Sequence, residues 1–521
     1  EQNQVEIYDS TLRDGAQGEG ISFSVEDKLH IVSLLDALGV SVIEAGNPAS
    51  NPKDIEFFHR VAQQPLSRAR LAAFGATRRK GASPDRDAGL LALASAGVGT
   101  VALFGKSSPM QVKDILGASL EENLRMIEQS CAFLKARGKE VIFDAEHFFD
   151  GCRVEENYAM QTLLAAVRGG ADKVCLCDTN GGAFPDDIAR ITRRVCASLP
   201  IEVGIHCHND AGMAVAGSVL AVDAGARQVQ GTFLGIGERC GNAGLAAVIA
   251  NLQLKKNYVC IPRENVAKLT PVAREMAEVC NTSIKRTEPF IGRSAFAHKA
   301  GMHVDGVLKC PASFEHIQPE AVGNERRLLL GEVSGRAAVL RKVQPIAPEL
   351  TKDSPELDAI TKELKRLEAV GYQFEGASAS FELLVKKQLG RFRHSFELVS
   401  YKVLDELPYT SGCSATATLK IRVDGKLQVS AAEGEGPVNA LDKALREALE
   451  VFYPALHDIR LIDYKVRVLE PKDATAAWVR VLITSADQNR VWTTVGLSTN
   501  LIEASWQALV DSMEYKLNLG F

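Results

Sequence analysis

The sequence predicts an α/β protein. Residues 1–275 form a (β/α)8 TIM barrel, residues 276–394 a mostly helical linker region, and residues 395–521 a C-terminal α+β domain with an internal strand-strand-helix repeat. Three observations carry this. From Val5 to about residue 250, short apolar runs alternate with longer amphipathic stretches, the signature of repeated strand-helix units. Beyond about residue 275 that alternation stops. The tail then repeats itself: Phe396-Glu-Leu-Val-Ser-Tyr401-Lys-Val reads like Ile459-Arg-Leu-Ile-Asp-Tyr464-Lys-Val, and Asn439-Ala-Leu-Asp-Lys-Ala-Leu445 like Glu503-Ala-Ser-Trp-Gln-Ala-Leu509.

In chain order, the strand cores are residues 5–8, 40–44, 71–74, 100–104, 140–143, 173–177, 202–206 and 227–230, each followed by a helical pattern. Eight such units close a barrel. The first helix has a start signal in Ser24 with Asp27 three residues on, and a stop in Gly39. Further along, Leu120, Leu124, Ile127, Cys131 and Leu134 recur at spacings of three and four, which defines one apolar helix face toward the barrel. The charged, proline-bearing stretch from Val343 to Glu356 reads as a connector. In each tail copy, strand-like alternation leads through a glycine-bearing loop into an amphipathic helix, so two stacked units with pseudo-twofold symmetry are expected. Gly434, Gly436 and Gly496 mark either simple turns or places where a ligand approaches the backbone closely.

Composition narrows the class without naming a function. At 521 residues the chain holds two or three compact units, and 46% hydrophobic with 24% charged residues is ordinary for a globular protein. A net charge of -5 argues against a nucleic-acid partner, because neutralising phosphates takes a dense basic face. Apolar runs fall short of the roughly 18 to 20 residues that a membrane span needs. Eleven cysteines, an odd number with no secretory leader, read as free thiols in a reducing compartment, so a cytoplasmic protein is expected.

The chemistry clusters at the strand ends, which in this architecture is the catalytic face. Arg13-Asp14 follows the first strand, Glu44 ends the second, Glu146 closes the fifth and Asp178-Thr179 follows the sixth. His206 and His208 leave the seventh strand, and Asn242 follows the eighth in a glycine-rich loop. Residues two apart in an extended segment face the same way, so both imidazoles reach one ion. Two histidine nitrogens with a carboxylate suit a divalent metal with open positions for substrate oxygens; Asp14 is the leading carboxylate and Asn242 a fourth candidate. Arg13 beside that ligand is placed to polarise a ketone oxygen and hold its developing charge, with Glu44 to orient it. Cys175 and Cys177 lack the second cysteine pair of a zinc site. The loop from Gly235 to Gly241 lacks the lysine of a phosphate loop and reads as a frame for Asn242.

Ser10-Thr-Leu-Arg13-Asp14-Gly-Ala-Gln17, His206-Cys-His208-Asn209-Asp210 and Gly237-Glu-Arg-Cys-Gly-Asn242-Ala resemble the signatures of the 2-isopropylmalate, homocitrate and citramalate synthase family. The resemblance covers nearly the whole chain, and the repeated tail is similar to the family's regulatory domain. Four further segments are most similar to the citramalate-forming members: Glu19-Gly-Ile-Ser-Phe-Ser, Phe104-Gly-Lys106-Ser107, Phe143-Asp-Ala-Glu146-His-Phe-Phe-Asp150-Gly and Phe296-Ala-His-Lys-Ala-Gly-Met-His303-Val-Asp305-Gly.

The resemblance implies magnesium, manganese or zinc on Asp14, His206 and His208, with Asn242 near or in its shell. It places Arg13 and Thr179 on the 2-oxo acid and makes Glu146 and His303 acid-base candidates. From the residues themselves, one or two methylenes change binding by only about 1 to 3 kcal/mol, so a sharp substrate preference requires a bulky wall such as Phe104 to clash with longer chains. The substrates implied are acetyl-CoA and pyruvate, joined in a Claisen-type condensation and released by thioester hydrolysis. A homodimer follows, because in the family the segment carrying His303 reaches the other protomer's site. Isoleucine is the implied effector, bound at the seam between the tail copies or across a dimer. Where relatives often carry tyrosine about eleven residues after this histidine, the chain has Phe314, which removes a phenolic hydroxyl. The rival readings are the same chemistry on a larger 2-oxo acid, a lyase or carboxyl-transfer enzyme on the same barrel, and an inactive barrel serving as a regulatory subunit.

Overall fold

The computed structural model describes residues 3–48, 52–299, 301–329, 336–374, 376–407, 414–469 and 477–519. Of the residues quoted above, Ala300 lies outside them. By internal contacts the chain divides into two compact units, Glu1–Ala297 with His316–Arg326, and His298–Glu315 with Arg327–Phe521.

The first unit is a closed eight-stranded parallel barrel. Its elements run β1 (Glu6–Asp9), α1 (Val25–Leu38), β2 (Val42–Gly46), α2 (Pro52–Val61), β3 (Arg70–Ala76), α3 (Ala88–Ser95), β4 (Thr100–Lys106), α4 (Leu120–Lys135), β5 (Glu140–Glu146), α5 (Phe148–Arg168), β6 (Lys173–Asp178), α6 (Pro185–Ser198), β7 (Glu202–Cys207), α7 (Ala214–Asp223), β8 (Gln228–Gly231) and α8 (Leu245–Lys255). Closure is the pairing of β1 with both neighbours, Tyr8 opposite Val42 and Asp9 opposite Gly231. All eight predicted strands are present, each displaced by only a few residues at its ends.

Period two sorts the strand residues. Tyr8, Val42, Ala72, Ala102, Ile142, Cys175 and Cys177 fill the barrel interior. Their neighbours Ile7, Ile43, Ala73, Val101, Val141, Val174 and Leu176 face the helices. The Cys-x-Cys pair is therefore interior filling, and burial holds the Cys175 thiol well above its usual range. The α1 signals operate as read: Ser24 and Asp27 form a reciprocal capping box, and Gly39 closes the helix at φ 96°. The α4 face packs as read too, with Ile127, Cys131 and Leu134 fully buried.

Past the barrel the chain is mostly helical: α9 (Leu269–Val279), a two-residue strand β9 (Ala297–His298), α10 (Gly301–Lys309), a second short strand β10 (Arg327–Leu328), α11 (Arg336–Val343), α12 (Pro355–Ala369) and α13 (Ser378–Gln388). The stretch after Val343 does connect two helices, α11 and α12.

The tail carries β11 (Glu397–Asp405), β12 (Ala415–Val423), β13 (Lys426–Gly434) and α14 (Pro437–Glu450), then β14 (Arg460–Val468), β15 (Val479–Ala486), β16 (Val491–Ser498) and α15 (Leu501–Leu517). Each copy is an antiparallel three-stranded sheet with a helix, one strand more than the repeat in the sequence resolved. In the first copy the extra strand comes from the tight turn at Asp424-Gly425, which pairs Val423 with Lys426. The repeat is faithful even in its irregularity, since both first strands shift register at equivalent places, Leu398/Ser400 and Leu461/Asp463. One core joins residues of both copies, including Leu419, Leu441, Val481, Trp492 and Leu509. Gly434 and Gly496 turn out to be packing glycines: a Cβ would sit 2.4 Å from the Ala440 nitrogen in one case and 1.9 Å from the Ala504 oxygen in the other. Gly436 has open space around it.

Candidate active site

The turn after β1 is held from inside. The Asp9 carboxylate accepts from the Thr11 backbone N–H at 2.8 Å, and the Ser10 hydroxyl donates to Glu44 at 2.9 Å. This fixes Arg13 and Asp14 side by side at the barrel mouth. Arg13 donates through Nε and Nη2 to Glu44, at 2.8 and 3.2 Å, and through Nη1 to Asp14 at 3.1 Å. Its guanidinium lies 3.8 Å from the Phe74 ring centroid, and Phe74 stacks on Phe104 with centroids 5.0 Å apart. Burial works against the Arg13 charge, but Glu44 and Asp14 outweigh it and keep it protonated.

Asp14, His206 and His208 bring three ligand atoms within 4.8 Å of one another, the one such group among the described residues. Asp14 Oδ2 is 3.6 Å from His206 Nε2 and 3.5 Å from His208 Nε2. Burial raises the Asp14 carboxyl, but Arg13 and the two imidazoles hold it well below the usual carboxylate range. Burial, and after it the charge of His208, pulls His206 down to about 4, so it is neutral near pH 7.

The hydrogen bonds around His206 test whether a cation fits. Gln230 donates its amide to Asp144 at 2.9 Å, so its Oε1 faces His206 Nδ1 as an acceptor at 3.0 Å. The neutral imidazole has a single proton to give, and its Nε2 meets a second acceptor. Facing it at 2.9 Å is Asn242 Oδ1, whose own amide nitrogen is committed as donor to Asp14 at 3.0 Å and to the Ile236 carbonyl at 3.1 Å. One proton thus serves two acceptors, so one of the two contacts sets lone pair against lone pair; with the proton on Nδ1 it is the contact of Nε2 with Asn242, an arrangement a divalent cation reconciles. Gly237 is obligatory beside them, since a Cβ there would lie 2.4 Å from Asn242 Nδ2. At His208 the arrangement differs: Arg239 donates to Nδ1 at 2.7 Å, which leaves the proton on Nε2 facing Asp14. Coordination through that nitrogen requires its proton to leave.

A cavity of about 260 Å³ opens over this group, lined by Arg13, Asp14, Phe74, Phe104, Glu146 and Thr179, among others. Thr179 Oγ1 accepts the His147 backbone N–H at 2.8 Å, so its own hydroxyl proton is available to a ligand. Glu44 sits behind Arg13, fully buried. The sites read from sequence at Arg13, Asp14, Phe104, Glu146, Thr179, His206, His208 and Asn242 therefore converge on one cavity or its floor. His303 belongs to the second unit, on α10, where its ring is exposed and stacks on Phe314 with centroids 4.3 Å apart. Sequence reasoning missed Gln17, Asp144, Gln230 and Arg239. Asp144 was accessible to it, because it lies two residues before Glu146 on one strand and so faces the same way.

Residues 4–275 match the HMGL-like family, residues 290–371 the homocitrate synthase post-HMGL domain-like family, and residues 375–517 the LeuA allosteric (dimerisation) domain. The (R)-citramalate synthase of Aquifex aeolicus is 48% identical over 520 residues, which is 98% of each chain. That of Geobacter sulfurreducens is 47% identical over 515 residues, 99% of this chain and 98% of the other. The 2-isopropylmalate synthase of Rhodopseudomonas palustris is 31% identical over 520 residues, 98% of this chain and 94% of the other.

Proposed function

We propose that this chain, which belongs to the HMGL-like family, carries out the (R)-citramalate synthase reaction, the condensation of acetyl-CoA with pyruvate followed by thioester hydrolysis. The observation that carries the reading is the group Asp14, His206 and His208, with Asn242 and Arg13 beside it, under a cavity with room for a small 2-oxo acid. Identities of 42% to 48% over nearly the full length to five (R)-citramalate synthases, against 31% and 34% to two 2-isopropylmalate synthases, support pyruvate over longer acids.

Asp14, His206 and His208, with Asn242, would hold magnesium, manganese or zinc. Such an ion supplies Lewis acidity to the substrate carbonyl. Around it, Arg13, locked by Glu44, holds the negative charge that builds on the ketone oxygen as the new carbon-carbon bond forms. The Thr179 hydroxyl donates to the substrate carboxylate. Phe104 and Phe74 wall the methyl side. A second cavity of about 450 Å³ shares Arg13, Gln17 and Phe74 with the first and leads away along Ile21 and Phe23, a path for the acyl arm of acetyl-CoA. The acetyl methyl proton goes to Glu146 or His303, the two acid-base candidates.

The tail, from about residue 395, is the dimerising and regulatory part, with isoleucine as effector. The barrel ends near 275 and the linker region near 394. Among the described residues no helix is long and apolar enough to cross a membrane, and the reading places the enzyme in the cytoplasm.

The test is release of free CoA thiol with pyruvate, 2-oxoisovalerate and 2-oxoglutarate side by side. Pyruvate should win by about 10-fold or more, and Phe104→Ala should narrow that gap by a similar factor. A clear preference for 2-oxoisovalerate would move the assignment to isopropylmalate formation.

A further inference from the structure

Lys106 is the last residue of β4 and pairs in register with Glu146, the last of β5. Its ammonium lies 2.5 Å from Glu146 Oε2, and neither side chain is more than about a quarter exposed. Glu146 lines the cavity and Lys106 does not, so the lysine stands behind the carboxylate.

The segment carrying Lys106 is held on several sides. Asn123, itself fully buried, donates its amide to the Lys106 carbonyl at 2.8 Å and to the Tyr158 hydroxyl at 2.8 Å. The next residue, Ser107, donates its N–H to the Glu146 carbonyl at 2.9 Å. Its hydroxyl pairs with Thr162 at 2.8 Å, and Gly151 of α5 comes so close that a Cβ would lie 2.2 Å from the Ser107 carbonyl oxygen. On the other side of Glu146, His147 holds a left-handed backbone at φ 56° while donating to Thr179. Backbone and side chain of Glu146 are thus both tied to the end of β4, by the Ser107 N–H and by the Lys106 ammonium.

Resting on the condensation reading above, we propose that Lys106 is a positioning residue for Glu146. It ion-pairs with Oε2, which is buried and accepts no hydrogen bond among the described residues, and leaves Oε1 as the oxygen that works on substrate. A long, flexible carboxylate side chain loses several rotamers in this way before substrate arrives, and a misplacement of about 1 Å costs about 100-fold in rate. A lysine at this position that served only the barrel fold would matter for stability and not for turnover.

The experiment uses the full-length, metal-loaded protein with Lys106→Met, Lys106→Arg, Glu146→Gln and the Lys106→Met/Glu146→Gln double variant. Lys106→Met should lower kcat about 100-fold with less than about threefold change in the KM for pyruvate. Lys106→Arg should recover much of the loss, because a guanidinium also reaches the carboxylate. The decisive arm is the double variant: acting through Glu146, Lys106→Met should cost little further once Glu146→Gln is present. Metal affinity and circular dichroism should be unchanged in all four. Unaltered kcat in Lys106→Met, a loss wholly in KM, or full additivity in the double variant would each overturn the proposal. Absence of condensation by the unmodified protein on any 2-oxo acid would instead remove the functional reading on which it rests.

Discussion

The barrel mouth buries Asp14, Glu44, Asp144, His206 and Asn242 to 5% exposure or less, whereas the edge strands of the tail sheets leave Leu404 64% and Ile462 55% exposed. Each region inverts the usual sorting of residues, and in opposite senses. Buried charge costs folding free energy unless something compensates it; here part of the compensation is internal, Glu44 with Arg13, while Asp14, His206 and His208 form a group able to hold a metal ion. Exposed apolar edge strands, β11 with Leu398, Val399 and Leu404 and β14 with Ile462, Val466 and Val468, invite another chain. The first region thus gathers groups able to hold a small ligand, and the second offers strand edges to another chain, in keeping with the match of the tail to a dimerisation domain.

The sharpest way to break the first half of that comparison is His208→Ala. If the mouth exists for a cation, the variant should lose divalent-metal binding in a calorimetric titration and lower condensation by about 1,000-fold or more, while its circular dichroism stays that of the parent. Retained metal affinity would return these histidines to an ordinary buried polar role.

The second half is tested by Leu404→Lys together with Val466→Lys, one charge on each edge strand. If these edges form a contact between copies of the chain, light scattering should show the assembly shifted toward monomer, with an apparent Kd raised about 10-fold or more, since an unpaired ammonium has to be desolvated to re-form the contact. Unchanged mass at the same concentration would show that these edges face solvent in the assembly.

The smallest effect concerns pH. Asp9 and Asp144 are pushed up to about 7, by burial first and with the charge of Glu44 adding to it. Their unfolded counterparts titrate near 3.9. Between about pH 4 and 7 the folded state therefore holds protons that the unfolded chain has lost, and stability of the metal-free protein falls as pH rises through that window. Asp144→Asn keeps an acceptor for Gln230 and should flatten the slope, stabilising the metal-free protein by roughly 1 to 2 kcal/mol at pH 7.5 in thermal melts. A variant that follows the parent across the whole range would show that this carboxyl does not titrate there.

The sequence by itself determined what depends on neighbours along the chain. Short apolar runs between longer amphipathic stretches placed the eight strands, period three to four placed the α4 face, and the Ser24/Asp27 spacing with Gly39 bounded α1. Because barrel topology sends every strand end to one mouth, Arg13, Glu44, Glu146, Thr179, His206 and Asn242 were legible as a set without knowledge of any distance. Tertiary structure decided what depends on register between distant strands. The chain Asp144 to Gln230 to His206 spans 86 and 24 residues of sequence, and only the closing of the barrel showed that Gln230 commits its donor to Asp144 and so turns an acceptor toward the histidine. Gly434 and Gly496, which in the sequence read equally as turns or ligand contacts, became packing glycines once α14 and α15 lay on their sheets. Local pattern fixes which way a side chain faces; only folding fixes what it meets, because hydrogen bonds and close packing are decided within tenths of an ångström by elements that the chain brings together from far apart.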